Sequence, residues 1–297
     1  MADKYKLNKI IIVLGEIMQE YSEADLKKVQ SLEKKILKDF HKICKENNIS
    51  YSIMYGSAIG VMRDHDIVPW DDDIDIALMR NDMYKVIDII KEKYSDKYEV
   101  LNFFENENFP IMTTHIILKT TRFVVPEFIN VDCPFGIYLD IFPLDYISDD
   151  EKIAHKQFKK AWIYNKLFIL RSMGTPHINV KGLKGSLVKS ACRVCHFILS
   201  LFHISKKYLY NKYLEQTGKY HGSRRVGVLA CSIMGSACYE YKDIFPVTEK
   251  KLGDIDVMIA NNIDKLLKSA YGDYMKLPPK EEQKGHCPVI VDFGIYE

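Results

Sequence analysis

Residues 55–76 decide the fold, and they read Tyr55-Gly-Ser-Ala-Ile-Gly-Val-Met-Arg-Asp-His-Asp-Ile-Val-Pro-Trp-Asp-Asp-Asp-Ile-Asp-Ile76. The apolar run before them, residues 49–55, predicts a short strand, and Gly56-Ser57 predicts a turn that opens a helix. Glycine has no Cβ, so the backbone at Gly56 can approach a ligand closely. A helix that begins at Ser57 presents unpaired N–H groups and a hydroxyl to any anion that binds there.

The second half of this stretch alternates acids with isoleucines. Side chains of an extended chain alternate between two faces, so Asp73 and Asp75 share one face while Ile74 and Ile76 point to the core. Two carboxylates on one face repel each other, and a hard divalent cation such as Mg²⁺ relieves that repulsion. A solvated acidic loop is the simplest alternative, but such loops rarely interleave isoleucine at period two. An EF-hand calcium loop is excluded because its central Gly and closing Glu are missing.

A second apolar strand carries another acid. Residues 136–145 read Gly-Ile-Tyr-Leu-Asp-Ile-Phe-Pro-Leu-Asp, and Asp140 lies in the middle of the apolar run. An ionised carboxylate is costly there unless it is paired or bound to a metal. We therefore predict that Asp140 points to the same face as Asp73 and Asp75 and completes a cation site. Asp145 fits a turn or a cap better.

These strings resemble a known family. Gly56-Ser57 followed by Asp73-Ile74-Asp75 is similar to the signature of the nucleotidyltransferase superfold. With Arg63 and the Ile-Val-Pro-Trp-Asp-Asp-Asp run added, the string resembles the LicD family of phosphocholine transferases, to which the fukutin-type transferases are related. The resemblance covers residues 51–84, 136–145 and 271–286.

The resemblance implies an α+β fold, with a nucleotidyltransferase-like mixed β-sheet flanked by helices, a helical basic insertion and a C-terminal helical part. It implies metal-dependent transfer of phosphocholine from CDP-choline to a hydroxyl of a cell-envelope glycan, such as teichoic acid or lipopolysaccharide, or of its lipid-linked precursor, with release of CMP. Asp73, Asp75 and Asp140 are the implied catalytic residues and ligands of Mg²⁺, or of Mn²⁺. Three alternatives stay open: a different CDP-alcohol donor such as CDP-ribitol or CDP-glycerol, a CTP-using nucleotidyltransferase that releases pyrophosphate, and a binding protein with an inactive site.

Further residues are candidates for binding the substrate. The amides after Gly56 and the Ser57 hydroxyl are expected to meet the diphosphate, and basic side chains to contact phosphate. Aromatic rings suit stacking on cytosine or cation–π contact with a trimethylammonium group. The candidates, each with a structural alternative as a surface charge or a packed ring, are Tyr55, Gly56, Ser57, Arg63, Trp70, Lys119, Arg122 and His286.

The chain is long enough for one large domain or two small ones, and we divide it into four parts. With 297 residues, 47% of them hydrophobic and 28% charged, its composition is that of a globular protein. We predict an N-terminal helical cover over residues 1–50 and a catalytic core over 51–150. A basic helical insertion on the acceptor or membrane side follows over 151–225, and a C-terminal helical part over 226–297 completes the site.

Charge is distributed unevenly along the chain. The net charge is +2, yet residues 152–225 contain sixteen Lys and Arg residues and a single acid, Glu215. Such a basic segment suits an anionic partner. The apolar pattern of a helix predicted over 186–215 favours core or interdomain packing, with contact to an anionic membrane surface as the alternative. Nucleic acid is not expected, because no recognition motif accompanies the charge.

The cysteines bear on the compartment. Seven scattered cysteines favour a reducing, cytoplasmic location. No apolar run reaches the roughly 18 residues that span a bilayer, and we expect no signal peptide, so peripheral contact at the inner face of the plasma membrane is the alternative. Cys192 and Cys195 are interpreted as free thiols, with a zinc site that also uses Cys231 or Cys238 as the alternative.

Overall fold

The structure, a computed structural model, describes residues 22–174, 182–230 and 237–297. Within these ranges the strands are β1 (Tyr51–Ile53), β2 (Asp75–Met79), β3 (Tyr98–Leu101), β4 (Thr114–Leu118), β5 (Arg122–Val124), β6 (Tyr138–Ile147), β7 (Arg225–Gly227), β8 (Cys238–Glu240), β9 (Thr248–Leu252), β10 (Ile255–Ile259) and β11 (Ile290–Asp292). The helices are α1 (Glu23–Glu46), α2 (Tyr55–Ile59), α3 (Arg80–Lys93), α4 (Glu151–Met173), α5 (Gly182–Leu201), α6 (Lys206–Leu214), α7 (Tyr241–Ile244) and α8 (Ile263–Tyr271). A π-helical turn, Gly60–Asp64, extends α2.

A mixed sheet forms the centre of the described chain. Its strand order is β3-β4-β6-β2-β1-β10-β9, and β7 and β8 continue from β6. Strand β2 lies parallel to β6 and antiparallel to β1, while β5 pairs with β11 in a separate two-stranded sheet. With helices packed against this sheet, the predicted α+β class is confirmed.

Helix α1 covers the sheet, as its sequence pattern predicts. Ser22 caps its first turn by accepting a hydrogen bond from the Asp25 N–H at 3.0 Å. Apolar side chains at helical spacing are buried against β4, β6 and β10. They are Val29, Leu32, Ile36, Leu37, Phe40 and Ile43.

The sheet core follows from period-two patterning. Ile74 and Ile76 are fully buried, which confirms that the isoleucines of the acidic stretch face the core. The strands expected near residues 98–103, 112–119 and 122–125 are present as β3, β4 and β5.

The C-terminal part differs from its prediction. A helix is expected over residues 254–270, but its first third is strand β10, which pairs with β1 and β9. Ile255, Val257 and Ile259 alternate with exposed Asp256 at period two and are β-branched, so they fit a strand as well as a helix. The part from residue 226 onward therefore adds strands to the sheet, and helix α8 begins only at Ile263.

The helix expected over 186–215 is broken. Helices α5 and α6 meet at an angle of 100°. His203 at the break has a left-handed φ of 51°, and Ser205 caps α6 by accepting a hydrogen bond from the Tyr208 N–H at 3.0 Å. Among the described residues, no single helix is long and apolar enough to cross a membrane. Helices α5 and α6 taken together have the length and apolar composition of a membrane span, but they are bent sharply against each other.

Candidate active site

The three predicted acids come together at one end of two neighbouring strands. Asp75 opens β2 and lies directly opposite Asp140 of β6 in the parallel register. Residues paired in this way project their side chains to the same face of the sheet. Asp73 lies just before β2, and its charge raises the pKa of Asp140 while the charge of Asp75 raises the pKa of Asp73. The predicted convergence of Asp73, Asp75 and Asp140 is thus present in the structure.

The acids are crowded in a poorly solvated place. Burial, with the charge of Asp75 added, raises the pKa of Asp73 to about 7. Burial raises the pKa of Asp140 to about 7, and burial together with the charge of Asp140 raises the pKa of Asp75 well above its usual range. The side chains of Asp73 and Asp140 keep 15% of their surface exposed, so a ligand can reach them. Carboxylates that repel one another in such a place favour a bound cation.

Two further acids belong to the cluster. Burial raises the pKa of Asp71 to about 8, with the charge of Asp73 added. Glu33 of α1 is 1% exposed, and burial followed by the charge of Asp73 raises its pKa well above the usual range. The Gln30 side chain, one turn before Glu33, donates to the Asp71 carbonyl oxygen at 2.8 Å and so fixes α1 against the acidic stretch.

His286 is the predicted residue that joins the cluster from the far end of the chain. Its backbone N–H donates to Asp72 Oδ1 at 2.8 Å, and its Nδ1 lies 2.9 Å from the same oxygen and 3.8 Å from Asp73 Oδ2. The hydrogen bond with Asp72 raises the pKa of His286 to about 10, so the imidazole is protonated at neutral pH. His286 therefore supplies one positive charge to a strongly negative site.

A buried histidine, His115, lies on the other side of Asp140. It is the cross-strand partner of Asp140, and its Nε2 is 3.7 Å from Asp140 Oδ1, which is longer than a hydrogen bond. His115 stacks on Tyr138 with ring centroids 4.0 Å apart. Burial lowers the pKa of His115 to about 3, so it is neutral. Sequence reasoning missed His115, because its place beside Asp140 depends on the β4–β6 register.

Gly56 and Ser57 hold the site together. The Ser57 side chain is buried, and its Oγ accepts a hydrogen bond from the Asp75 N–H at 2.9 Å. The hydroxyl thus fixes the start of α2 to the start of β2. At Gly56, a Cβ would lie 3.0 Å from Asp71 Oδ2, so a residue with a side chain would force that carboxylate to shift.

A cavity of about 320 Å³ adjoins the acids. Three predicted residues, Gly56, Arg63 and Trp70, line it, together with Asp71 and with Tyr271 from the end of α8. The Arg63 guanidinium carbon lies 5.5 Å from the centre of the Trp70 ring, and Arg63 also pairs with Asp64 at 2.8 Å. This cavity offers an aromatic face and a cation directly beside the carboxylates.

Three predicted residues lie apart from this cavity. Lys119 donates to the Ser95 carbonyl oxygen and directly follows β4, four residues and about 13 Å beyond His115. Arg122 lies in the two-stranded sheet, opposite Asp292. The Tyr55 ring packs edge-on against Phe142 with centroids 5.3 Å apart. The structure gives the proposed substrate contacts of these three residues no support.

The residues present fit a divalent cation. Within the described residues, Asp72 Oδ2, Asp140 Oδ1 and Glu33 Oε2 are buried without a hydrogen-bond partner. Ligand atoms of Asp72, Asp73 and His286 also lie within 4.8 Å of one another. Because a protonated His286 cannot coordinate a metal, the carboxylate oxygens are the better donors, and they are the type that Mg²⁺ and Mn²⁺ prefer.

Other conspicuous groups have structural roles. Asp145 is buried and accepts two hydrogen bonds from Arg80, at 2.6 and 2.7 Å, which places it away from the cation site. Cys192, Cys195 and Cys238 are half-buried free thiols, and Cys231 lies outside the described residues.

Comparison with known proteins agrees with this geometry. Residues 48–173 match the family described as "LicD/FKTN/FKRP, nucleotidyltransferase domain". The chain is also 27% identical over 256 residues to the lipopolysaccharide cholinephosphotransferase LicD of Haemophilus influenzae, a match that covers 84% of this chain and 91% of that protein. Residues 48–173 form a domain of the LicD family.

The chain also has shorter sequence matches to two uncharacterised proteins. One, from Rickettsia typhi, is 39% identical over 67 residues, 20% of this chain and 22% of that protein. The other, from Rickettsia prowazekii, is 43% identical over 47 residues, 16% of this chain and 18% of that protein. The family domain and the similarity to LicD of Haemophilus influenzae both support a phosphotransferase activity. The family domain contains Asp73, Asp75 and Asp140, whereas His286 follows it in the sequence.

Proposed function

We propose that this chain transfers phosphocholine from CDP-choline to a hydroxyl group of a cell-envelope glycan and releases CMP. The observation that carries the proposal is the pairing of Asp75 with Asp140, beside Asp73 and next to a cavity lined by Arg63 and Trp70. The similarity to LicD of Haemophilus influenzae supports choline as the transferred alcohol and a lipopolysaccharide-like glycan as the acceptor.

Asp73, Asp75 and Asp140 are the proposed ligands of a resident Mg²⁺ or Mn²⁺. When bound, such an ion supplies charge neutralisation for the phosphate oxygens of the donor. The unpartnered oxygen of Asp140 and the mutual repulsion of the three acids support this assignment. Ser57 contributes indirectly, because its hydrogen bond to the Asp75 N–H ties the start of β2, where Asp75 lies, to the start of α2.

The chain's own residues position the donor and accept a proton. In the reaction, the acceptor oxygen forms a bond to the phosphorus that carries choline, and the bond from that phosphorus to the oxygen of CMP breaks. The proton of the acceptor hydroxyl passes to Asp140 or, where Asp140 serves only as a ligand of the ion, to solvent water. We assign contact with the departing phosphate to the guanidinium of Arg63, which lines the cavity, and to the protonated His286 beside Asp72.

The aromatic side of the cavity is proposed to hold the cytosine or the choline group. Trp70 and Tyr271 both line it, and an aromatic face attracts a trimethylammonium group as well as stacking on a base. A lipid-linked acceptor at the inner face of the plasma membrane is part of this proposal.

The test supplies purified protein with Mg²⁺, an acceptor glycan and CDP-choline, and follows the release of CMP. Parallel reactions contain CDP-ribitol, CDP-glycerol or CTP, so that the donor and the product identify the reaction. CMP from CDP-choline alone supports the proposal, faster release from another CDP-alcohol replaces choline with that alcohol, and pyrophosphate from CTP replaces the reaction itself.

Substitution of one acid ties the activity to the site. Asp75→Asn should lower the rate by at least about a hundredfold, because the carboxylate both binds the ion and shapes the donor site. Asp256→Asn is the matched control: like Asp75 it lies in a strand between two β-branched residues, but it is exposed and paired with Lys251. A full rate in Asp75→Asn would contradict the proposed mechanism.

A further inference from the structure

Helix α5 presents an apolar face that nothing in the described residues covers. Its large side chains are strongly exposed, with Phe197 63%, Leu187 70% and Leu201 58% accessible. Val194 and Ile198 fall on the same side, because spacings of 7, 10, 11 and 14 residues from Leu187 return to one face of a helix. Phe202, which directly follows the helix, is 70% exposed and extends this apolar face of α5.

The opposite side of α5 is the one that packs. Leu199 is buried, and His196 Nδ1 lies 2.8 Å from the Leu170 carbonyl oxygen of α4. The sequence pattern predicts core or interdomain packing for the apolar residues of this helix, and for the exposed face that prediction is wrong. Core packing therefore accounts for one side of α5 and leaves the apolar face unexplained.

The surroundings of the apolar face are cationic. Lys184, Lys189 and Arg193 are exposed on α5, and the stretch from 152 to 225 contains sixteen basic residues and only one acid, Glu215. A second copy of the same helix would bring two such cationic segments together, and their repulsion opposes self-association. An anionic lipid bilayer is negatively charged at its headgroups and apolar a few ångströms below them. It therefore matches this face and its basic surroundings better than a second copy of the helix does.

We propose that α5 lies flat on an anionic lipid bilayer, with Phe197, Leu201 and Phe202 inserted among the acyl chains and its basic residues against the headgroups. The bend at His203 then directs α6 away from the bilayer, back onto α4. Binding of this kind is peripheral and reversible, and it places the enzyme where a lipid-anchored acceptor is found. It does not depend on the proposed chemistry, because none of these residues lines the cavity beside the acids.

Vesicle co-sedimentation of the full chain tests this surface. The wild-type protein should bind vesicles of equal parts phosphatidylglycerol and phosphatidylcholine, and should bind pure phosphatidylcholine much more weakly. Phe197→Ser with Leu201→Ser should lower the lipid partition coefficient by about tenfold or more, since two inserted apolar side chains are lost. Lys184→Glu with Arg193→Glu, at the two basic residues that flank the apolar face, should lower it similarly, and high salt should weaken wild-type binding.

The matched control replaces exposed apolar residues elsewhere. Ile153→Ser with Ile295→Ser removes side chains that are 41% and 75% exposed and lie off α5, and it should leave vesicle binding unchanged. Circular dichroism confirms that each variant is folded, and CMP release in free solution should be equal in all of them. Equal vesicle binding by the Phe197/Leu201 variant and the wild type would overturn the proposal. Sedimentation velocity tests whether a second copy covers the face. A wild-type dimer that dissociates in the variant Phe197→Ser with Leu201→Ser would also overturn the proposal, because the face would then be an interface between two copies.

Discussion

Replacing Asp73 by asparagine should make the metal-free protein more stable above pH 7, although it damages the cation site. Burial raises the pKa of Asp73, and the charges of Asp75 and Asp72 raise it further. Asparagine has nearly the same shape and carries no charge. The substitution therefore removes repulsion and leaves the packing unchanged.

The magnitude follows from the pKa of Asp73. Burial and the charge of Asp75 raise this pKa from 3.8 to about 7. At about 1.4 kcal/mol per unit, the shift corresponds to roughly 4 kcal/mol. Because neighbouring acids share the repulsion and His286 loses one attractive partner, we expect a net gain of roughly 1–2 kcal/mol, or about 3–6 °C in Tm for a chain of this length.

The sign depends on pH. A carboxyl group with a raised folded-state pKa binds more protons in the folded chain than in the unfolded chain, so its contribution to stability is complete below about pH 4 and is lost as pH rises through about 7. Wild type and Asp73→Asn should therefore have similar stability near pH 4. They should separate as the pH rises, with the variant the more stable protein at pH 8.

Thermal unfolding in EDTA from pH 5 to pH 8.5 measures this difference, and repeating it with excess Mg²⁺ provides the second half of the test. Added Mg²⁺ should raise the Tm of the wild type more than that of Asp73→Asn, because only the wild type keeps all three proposed ligands. Asp256→Asn, at an exposed and paired acid, controls for loss of charge. An Asp73→Asn protein less stable than wild type at pH 8 in EDTA would refute the picture of repelling acids.

Three other substitutions test separate features. Gly56→Ala places a Cβ 3.0 Å from Asp71 Oδ2, so CMP release should fall by about tenfold or more while Tm changes little. Arg80→Met leaves the buried carboxylate of Asp145 without its partner and should lower the free energy of unfolding, measured in urea, by about 3–5 kcal/mol. His286→Gln removes a positive charge and a hydrogen bond at the acids, so limited proteolysis near Lys284 should become faster and the rate of transfer should fall.

Each of these has a result that would contradict it. A fully active Gly56→Ala protein would show that Asp71 can move without consequence. For the buried ion pair, the double variant Arg80→Met with Asp145→Leu should regain most of the lost stability, and no gain would mean that packing outweighs charge at this position. Unchanged proteolysis in His286→Gln would show that its backbone hydrogen bond alone holds the C-terminal loop.

Local patterns were enough to predict the acid cluster. Period-two alternation around Asp73 and Asp75, and an acid inside the apolar run at Asp140, indicate a common face before any pairing is known. The pairing itself is a long-range property, so the sequence could not predict that Asp75 lies opposite Asp140, or that Lys119 and Arg122 lie away from the cavity.

The burial of Glu33, the strand β10 and the exposure of the apolar face of α5 could not be predicted, because their sequence patterns fit more than one structure. Glu33 occupies an apolar position of α1, four residues after Val29, and that irregularity was the one signal that it turns inward. Ile255, Met258 and Ile259 fit helical and strand spacing alike, so tertiary pairing decided between them. For α5, the sequence defines an apolar face but contains no information on whether another part of the chain covers it.

The distance between Asp75 and Asp140 is fixed by the backbone ladder of two adjacent strands, about 4.8 Å apart, and not by the helices around them. The exposed apolar face of α5 contains no strand of this sheet, so it takes no part in setting that distance. Substitutions on this face can change the surface that the chain presents while the two carboxylates keep their separation.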